Sequence, residues 1–102
     1  MGDFCLCPKF EAAFEFIGKK WTGLIIRVLL EGPKRFSDIR QLIPELSDRM
    51  LTERFKALEA EGIVKRNVYP ETPVRIEYEL TEKGRDLKDA LDQIQKWAER
   101  WM

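Results

Sequence analysis

Two cysteines, Cys5 and Cys7, stand one residue apart, and the second is followed at once by Pro8. Proline suits the first position of a helix, so Cys7 is expected at its N-terminus, beside unpaired backbone N–H groups and the positive end of the helix dipole. A sulfur in such a place favours the thiolate and attacks electrophiles and oxidants, and Lys9 adds to the local field. The plain alternative is an inert small hydrophobe. A ring closed by Cys5 and Cys7 within one chain would be small and strained. That leaves alkylation, a low-molecular-weight thiol cap or a disulfide to a second subunit as the routes of modification. The sequence contains no histidine, so Ser-His-Asp and Cys-His catalytic arrangements and His-ligated zinc are excluded. No further metal ligands accompany the thiols, and neither a metal nor a cofactor is expected. A thiol peroxidase is disfavoured for the same reasons: there is no catalytic constellation and no clear resolving cysteine.

A second constellation is polar: Ser47, Arg49, Thr52, Glu53 and Lys56 share a helical face opposite Leu51, Phe55 and Leu58. In a helix lying in the major groove, Arg49 can donate two hydrogen bonds to a guanine edge, Ser47 and Thr52 suit phosphates or bases, and Lys56 reaches the backbone. The charge balance argues the other way. Residues 47–62 hold three cations, Arg49, Arg54 and Lys56, against Asp48, Glu53, Glu59 and Glu61, and an ordinary solvated face would look similar. Lysine plus arginine total 18 and aspartate plus glutamate total 18, so a polyanion-coating protein is excluded and DNA binding must come from charge gathered on one face. Lys19 and Lys20, expected at the start of a helix, could hold a phosphate there. Arg75, with Arg66 assisting from the facing strand, could enter or flank the minor groove.

The elements that must position these residues follow from periodicity. At 102 residues the chain has room for one core, and 44% hydrophobic with 35% charged residues excludes disorder. The spacing predicts a first helix over 8–17 and a second over 20–31 with Trp21, Leu24, Ile25, Val28 and Leu29 inward, ended by Gly32-Pro33. Ser37 is expected to cap a third helix carrying Ile39, Leu42 and Ile43, closed by Pro44. Ser47 is expected to cap a fourth that runs to about Glu61 and stops at Gly62. Helices three and four, joined by a tight turn, read as a helix-turn-helix over about 37–61. Alternation of Val74, Ile76, Tyr78 and Leu80 with Arg75, Glu77 and Glu79 marks a strand paired with residues 63–69 across a rigid tip, Pro70-Glu71-Thr72-Pro73. That hairpin, about 63–80, is a wing. Thr81 can cap a last helix over about 82–101, with Leu87, Leu91, Ile94, Trp97 and Trp101 on one seam. The expected class is α+β, mostly helical: a winged helix-turn-helix with an N-terminal helix and a long C-terminal helix.

At this point six blocks in order resemble those of HxlR-type transcriptional regulators. They are Cys7-Pro8, Ile17-Gly18-Lys19-Lys20-Trp21, Leu30-Glu31-Gly32-Pro33-Lys34-Arg35-Phe36, Met50-Leu51-Thr52-Glu53-Arg54, Tyr69-Pro70-Glu71-Thr72-Pro73-Val74 and Tyr78-Glu79-Leu80-Thr81-Glu82-Lys83-Gly84. The resemblance implies a dimeric bacterial DNA-binding regulator. Cys7-Pro8, Lys34-Arg35-Phe36 and the wing sequence look most like the YodB-like branch, which senses quinones and diamide through its N-terminal cysteine. The C-terminal cysteine used by members of that branch is missing, since this chain reads Arg100-Trp101-Met102 there. The resemblance also implies a homodimer built on the first helix (Phe10, Phe14) and the last (Leu87, Leu91, Ile94, Trp97, Trp101), engaging a palindromic operator in double-stranded DNA as a repressor or an activator, of which repressor is the leading reading. Quinones or other thiol-reactive electrophiles would be its effectors. A regulator with a non-thiol signal and a winged-helix protein-interaction module are the competing readings. The stretch from Leu24 to Leu30 is broken by Arg27 and falls short of the roughly 20 residues a membrane span needs. With no signal-peptide pattern after Met1 and no disulfide framework, a cytoplasmic location is expected.

Overall fold

A computed structural model describes residues 6–102; Cys5 lies outside the described residues. The order is α1 (Pro8–Ile17), α2 (Thr22–Leu29), α3 (Phe36–Leu42), α4 (Asp48–Ala60), β1 (Val64–Tyr69), β2 (Arg75–Leu80), α5 (Glu82–Arg85) and α6 (Lys88–Trp101). This is the α+β winged helix-turn-helix expected, with one addition. Lys34 exchanges backbone hydrogen bonds with Tyr78 at 2.9 and 2.7 Å, so the two-stranded wing gains a short third partner at its base. A single bridging residue flanked by Pro33 has no periodicity to announce it.

The helix-turn-helix is fixed locally at each end. Ser47 accepts a hydrogen bond from the Met50 N–H at 3.1 Å, satisfying one of the orphan donors of α4. At the far end Gly62 takes φ +75°, and the Ile63 N–H closes on the Leu58 carbonyl at 2.9 Å, so the chain turns directly into β1. Between α3 and α4, Leu46 inserts fully into the core. The Arg40 guanidinium donates to the Leu46 carbonyl and to the Asp48 carboxylate, which ties the end of α3 to the start of α4. The core joins Ile25, Ile26 and Leu29 of α2, Ile39 and Ile43, Leu51, Phe55 and Leu58 of α4, Val64, Leu80 and Leu91. In the wing, Val64 faces Leu80, Arg66 faces Tyr78, Val68 faces Ile76 and Tyr69 faces Arg75. Only its base is buried.

Four expectations change. α2 begins at Thr22, because Trp21 adopts φ +79° and stands at the N-cap; the buried stripe is accordingly Thr22, Ile25, Ile26 and Leu29, and Leu24 is exposed. Both stripes satisfy a helical period, and periodicity alone does not separate them. The third helix is not capped by Ser37. Its first turn is closed by Asp38, whose carboxylate accepts from the Arg35 N–H at 2.9 Å, and Leu42 faces outward. The last helix is divided into α5 and α6. Finally, the seam on 82–101 is split in use: Leu91 is buried in the chain's own core and Leu87 packs against it, whereas Ile94, Trp97 and Trp101 stay exposed.

At the division the Leu87 N–H bonds the Gly84 carbonyl, three residues back, at 3.1 Å. Thr81 caps α5 by accepting from the Gly84 N–H at 3.2 Å, and its own N–H bonds the Ile63 carbonyl at 2.9 Å. Gly84 is thereby buried against the start of the wing, where a Cβ would collide with the Ile63 carbonyl oxygen and press on Leu80. Gly84→Ala is therefore expected to destabilise the fold by about 1–3 kcal/mol. Urea denaturation with an unchanged slope and a lower midpoint is the expected outcome, and an unchanged midpoint would remove the close approach from the account.

Candidate nucleic-acid interface and thiol site

The recognition surface is built on α4 by contrast between its two faces. Leu51, Phe55 and Leu58 are buried, while Ser47, Arg49, Thr52, Glu53 and Lys56 are all exposed, as the spacing requires. The Arg49 side chain is 90% exposed and lies 3.5 Å from Glu53, so a guanidinium and a carboxylate stand side by side on the outer face. Thr52 donates its hydroxyl proton to the Asp48 carbonyl at 2.8 Å, leaving its oxygen lone pairs outward. Ser47 spends an oxygen lone pair on its cap and keeps its proton for an acceptor in solution.

Lys19 and Lys20 occupy the turn before α2 rather than its first helical positions. Two contacts order that turn. The Lys20 ammonium lies 4.9 Å from the centre of the Trp21 ring, and the Lys20 carbonyl accepts from Arg54 Nε of α4 at 2.9 Å. Arg54 is thus a link between the recognition helix and the turn that follows α1. Sequence reasoning left it among the cations of α4; only its half-buried position separates it from Arg49 and Lys56.

The wing presents two different faces. On the face continuous with the core, Tyr78 stacks on Phe55 with ring centroids 3.7 Å apart and an interplanar angle of 9°. Burial first, and then Glu59, raises the pKa of the Tyr78 hydroxyl above its ordinary value, opposed in part by Arg66. Arg66 itself is exposed beside that ring. On the opposite face Glu79 is held below the usual carboxylate range by the Asn67 amide and the Lys65 ammonium, 3.2 Å away in each case. Arg75 lies on this second face between Glu71 and Glu77. The two wing arginines therefore lie on opposite faces of the hairpin and do not converge, and Arg75 is paired within its own hairpin.

Cys7 stands at the N-cap of α1, as its place before Pro8 predicts, exposed and with no capping hydrogen bond from its side chain. It borders an open groove of about 520 Å³ with Leu6, Phe10, Glu11, Phe14 and Glu15. α1 buries none of its residues; Phe16 alone among them packs on the core. Phe10 and Phe14 contact each other at 4.8 Å and remain exposed, as do Trp97 and Trp101 on α6, at 58% and 65%. At the root of α6, Asp92 joins Arg27 of α2 and Lys88, both at 2.7 Å, and these two partners, Lys88 first, hold its carboxyl below the ordinary range. Among the described residues no group of three or more potential ligands could hold a metal, and no helix is long and apolar enough to cross a membrane.

Known proteins share this fold. The chain is 54% identical over 97 residues to the HTH-type transcriptional regulator YvaP of Bacillus subtilis (strain 168), covering 95% of this chain and 90% of that protein. It superposes on the reduced form of the transcriptional regulator YodB from B. subtilis with a TM-score of 0.87 and 52% identity, covering 95% of each chain. On quinone-bound YodB the TM-score is 0.82 at 47% identity, covering 93% of this chain and all of that one. The model of the HxlR-like helix-turn-helix matches residues 16–102, and the chain accordingly belongs to that family of transcriptional regulators.

Proposed function

We propose that the chain is a homodimeric, cytoplasmic repressor that binds a palindromic duplex operator and leaves it when a quinone or another thiol-reactive electrophile modifies Cys7. The observation that carries this reading is α1: a helix with an exposed thiol at its N-cap, exposed phenylalanines one and two turns later and no buried residue of its own. Apolar surface of this kind, together with Ile94, Trp97 and Trp101, suits a second copy of the chain. The existence of reduced and quinone-bound forms of YodB supports the choice of effector.

The chemistry at Cys7 is a conjugate addition. The thiolate sulfur forms a bond to a ring carbon of the quinone, the electron pair moves onto a carbonyl oxygen, and protonation yields a hydroquinone thioether. Diamide takes another course, accepting two electrons and two protons as two thiols join in a disulfide. Either product adds bulk or a tether at the start of α1. From there α1 runs to the Lys19-Lys20 turn, which Arg54 holds to the recognition helix. Displacing α1 at the dimer axis changes the angle between subunits and takes the two recognition helices out of the spacing of about 34 Å that successive major grooves demand.

Three outcomes follow. Arg49→Ala should weaken specific binding by about 1–3 kcal/mol and relax base preference at one position per half-site; equal loss on every sequence would make Arg49 a phosphate contact. Trp97→Glu should dissociate the dimer, because a buried unpaired carboxylate is costly, and a mutant still dimeric by sedimentation would exclude this seam. Cys7→Ser should bind the duplex upstream of the chain's own reading frame normally in an anisotropy titration, yet fail to respond to quinone or diamide. Dissociation of that variant by quinone would place the switch elsewhere.

A further inference from the structure

The first residue of β2, Arg75, faces Tyr69 at the last rung of the hairpin ladder. Its Nη1 lies 2.8 Å from Glu77 and its Nη2 3.1 Å from Glu71, so one guanidinium joins a carboxylate of the tip to a carboxylate of the strand. The same guanidinium sits 4.1 Å over the Tyr69 ring, and the side chain is 30% exposed, against 90% for Arg49 on the recognition helix. Both terminal nitrogens are thus engaged by carboxylates and an aromatic face lies beneath the group, while Nε is buried without a hydrogen-bond partner.

The hairpin needs such a contact at this place. Pro70 and Pro73 donate no backbone N–H, so the ladder cannot continue past Tyr69 and Arg75. Within the turn, the Glu71 N–H reaches the Tyr69 carbonyl at 2.8 Å. Beyond that bond, side chains must hold the tip against the strands. The local charge is also unsuited to phosphate. Arg75 with Glu71 and Glu77 carries a formal charge of minus one, and a phosphate would have to displace both carboxylates and repel them at close range. Arg66 stands exposed on the opposite face of the hairpin, where no such cage surrounds it.

We propose that Arg75 is a positioning residue of the wing and not a DNA contact: the Glu71–Arg75–Glu77 bridge stacked on Tyr69 sets the shape in which the tip meets the duplex. The inference rests on the reading that α4 and the wing bind duplex DNA, and its test separates the two. The full-length chain and the variants Arg75→Gln, Arg75→Lys and Glu71→Gln/Glu77→Gln are compared by hydrogen exchange without DNA and by the salt dependence of duplex binding.

For a pin, all three variants speed exchange across residues 67–77 by about tenfold, the combined worth of a stacked cation and exposed ion pairs. Exchange in α4 and α2 stays unchanged. Lysine fails to rescue, because an ammonium cannot span two carboxylates while lying flat on the ring. In the binding arm each variant lowers affinity while the slope of log affinity against log salt equals that of the wild type. For a phosphate contact, Arg75→Gln instead reduces the slope by about 0.9, Arg75→Lys restores it, and wing exchange does not move, which would overturn the proposal. If the unaltered chain binds no duplex, the DNA reading fails and the exchange measurement alone decides the role of Arg75.

Discussion

Tyr78 is the residue on which the recognition surface depends. Its ring lies flat on Phe55 of α4, its backbone pairs with Lys34 on one side and with Arg66 on the other, and Phe36 of α3 closes on Phe55 from 6.4 Å. Both helices of the helix-turn-helix and the wing therefore share one aromatic cluster of two contacts, each worth about 0.5–1.5 kcal/mol beyond the area it buries. The energy is modest, but the geometry is specific: a stacked pair resists rotation of α4 about its axis, and that rotation decides whether Arg49 or Glu59 faces outward. Arg40 and Arg54 add hydrogen bonds at the N-terminal end and near the middle of the same helix. A surface meant to register with fixed groove positions needs this rigidity.

The body so formed is complete without most of α1 and without the outer half of α6. Core burial ends at Leu91, and beyond it Ile94, Trp97 and Trp101 are exposed. In water, that much exposed aromatic area favours association, and it is placed on the helix that follows Cys7 and on the final helix. Charge is divided in a similar way. Arg27, Arg40, Arg49, Lys65, Arg75, Lys83 and Lys88 are taken up in ion pairs that fasten one element to another or to itself, whereas Lys19, Lys20, Lys56 and Arg66 stand on exposed turns and faces. A formal net charge of zero is thus compatible with a locally cationic surface.

Much of this was legible before any coordinates. The span of α1, the cap at Ser47, the stop at Gly62 and both strands of the wing follow from local rules, because caps, glycines and alternation act within a few residues. The faces of α2 and α3 were less readable: where two apolar stripes overlap, only the tertiary partner selects one, so Leu24 and Leu42 came out exposed. The break between α5 and α6 escaped for a related reason, since Gly84 is tolerable in a helix and its burial against Ile63 is a contact across some twenty residues of chain. The roles of Arg40, Arg54 and Arg75 were hidden most completely. An arginine that fastens a turn and one that reaches for DNA have the same letter and the same hydropathy, and only the neighbours brought by the fold distinguish them.

The central claim is that the outer face of α4, joined by the wing and the Lys19-Lys20 turn, meets duplex DNA while α1 and the end of α6 meet another copy of the chain. The most direct test is a titration of isotope-labelled protein with the duplex upstream of its own reading frame, followed by amide chemical shifts at constant salt. The account predicts shifts concentrated at Lys19, Lys20, Ser47, Arg49, Thr52, Lys56 and Arg66, with Phe10, Phe14, Trp97 and Trp101 unmoved. Shifts confined to α1 and α6, or none at saturating duplex, would contradict it.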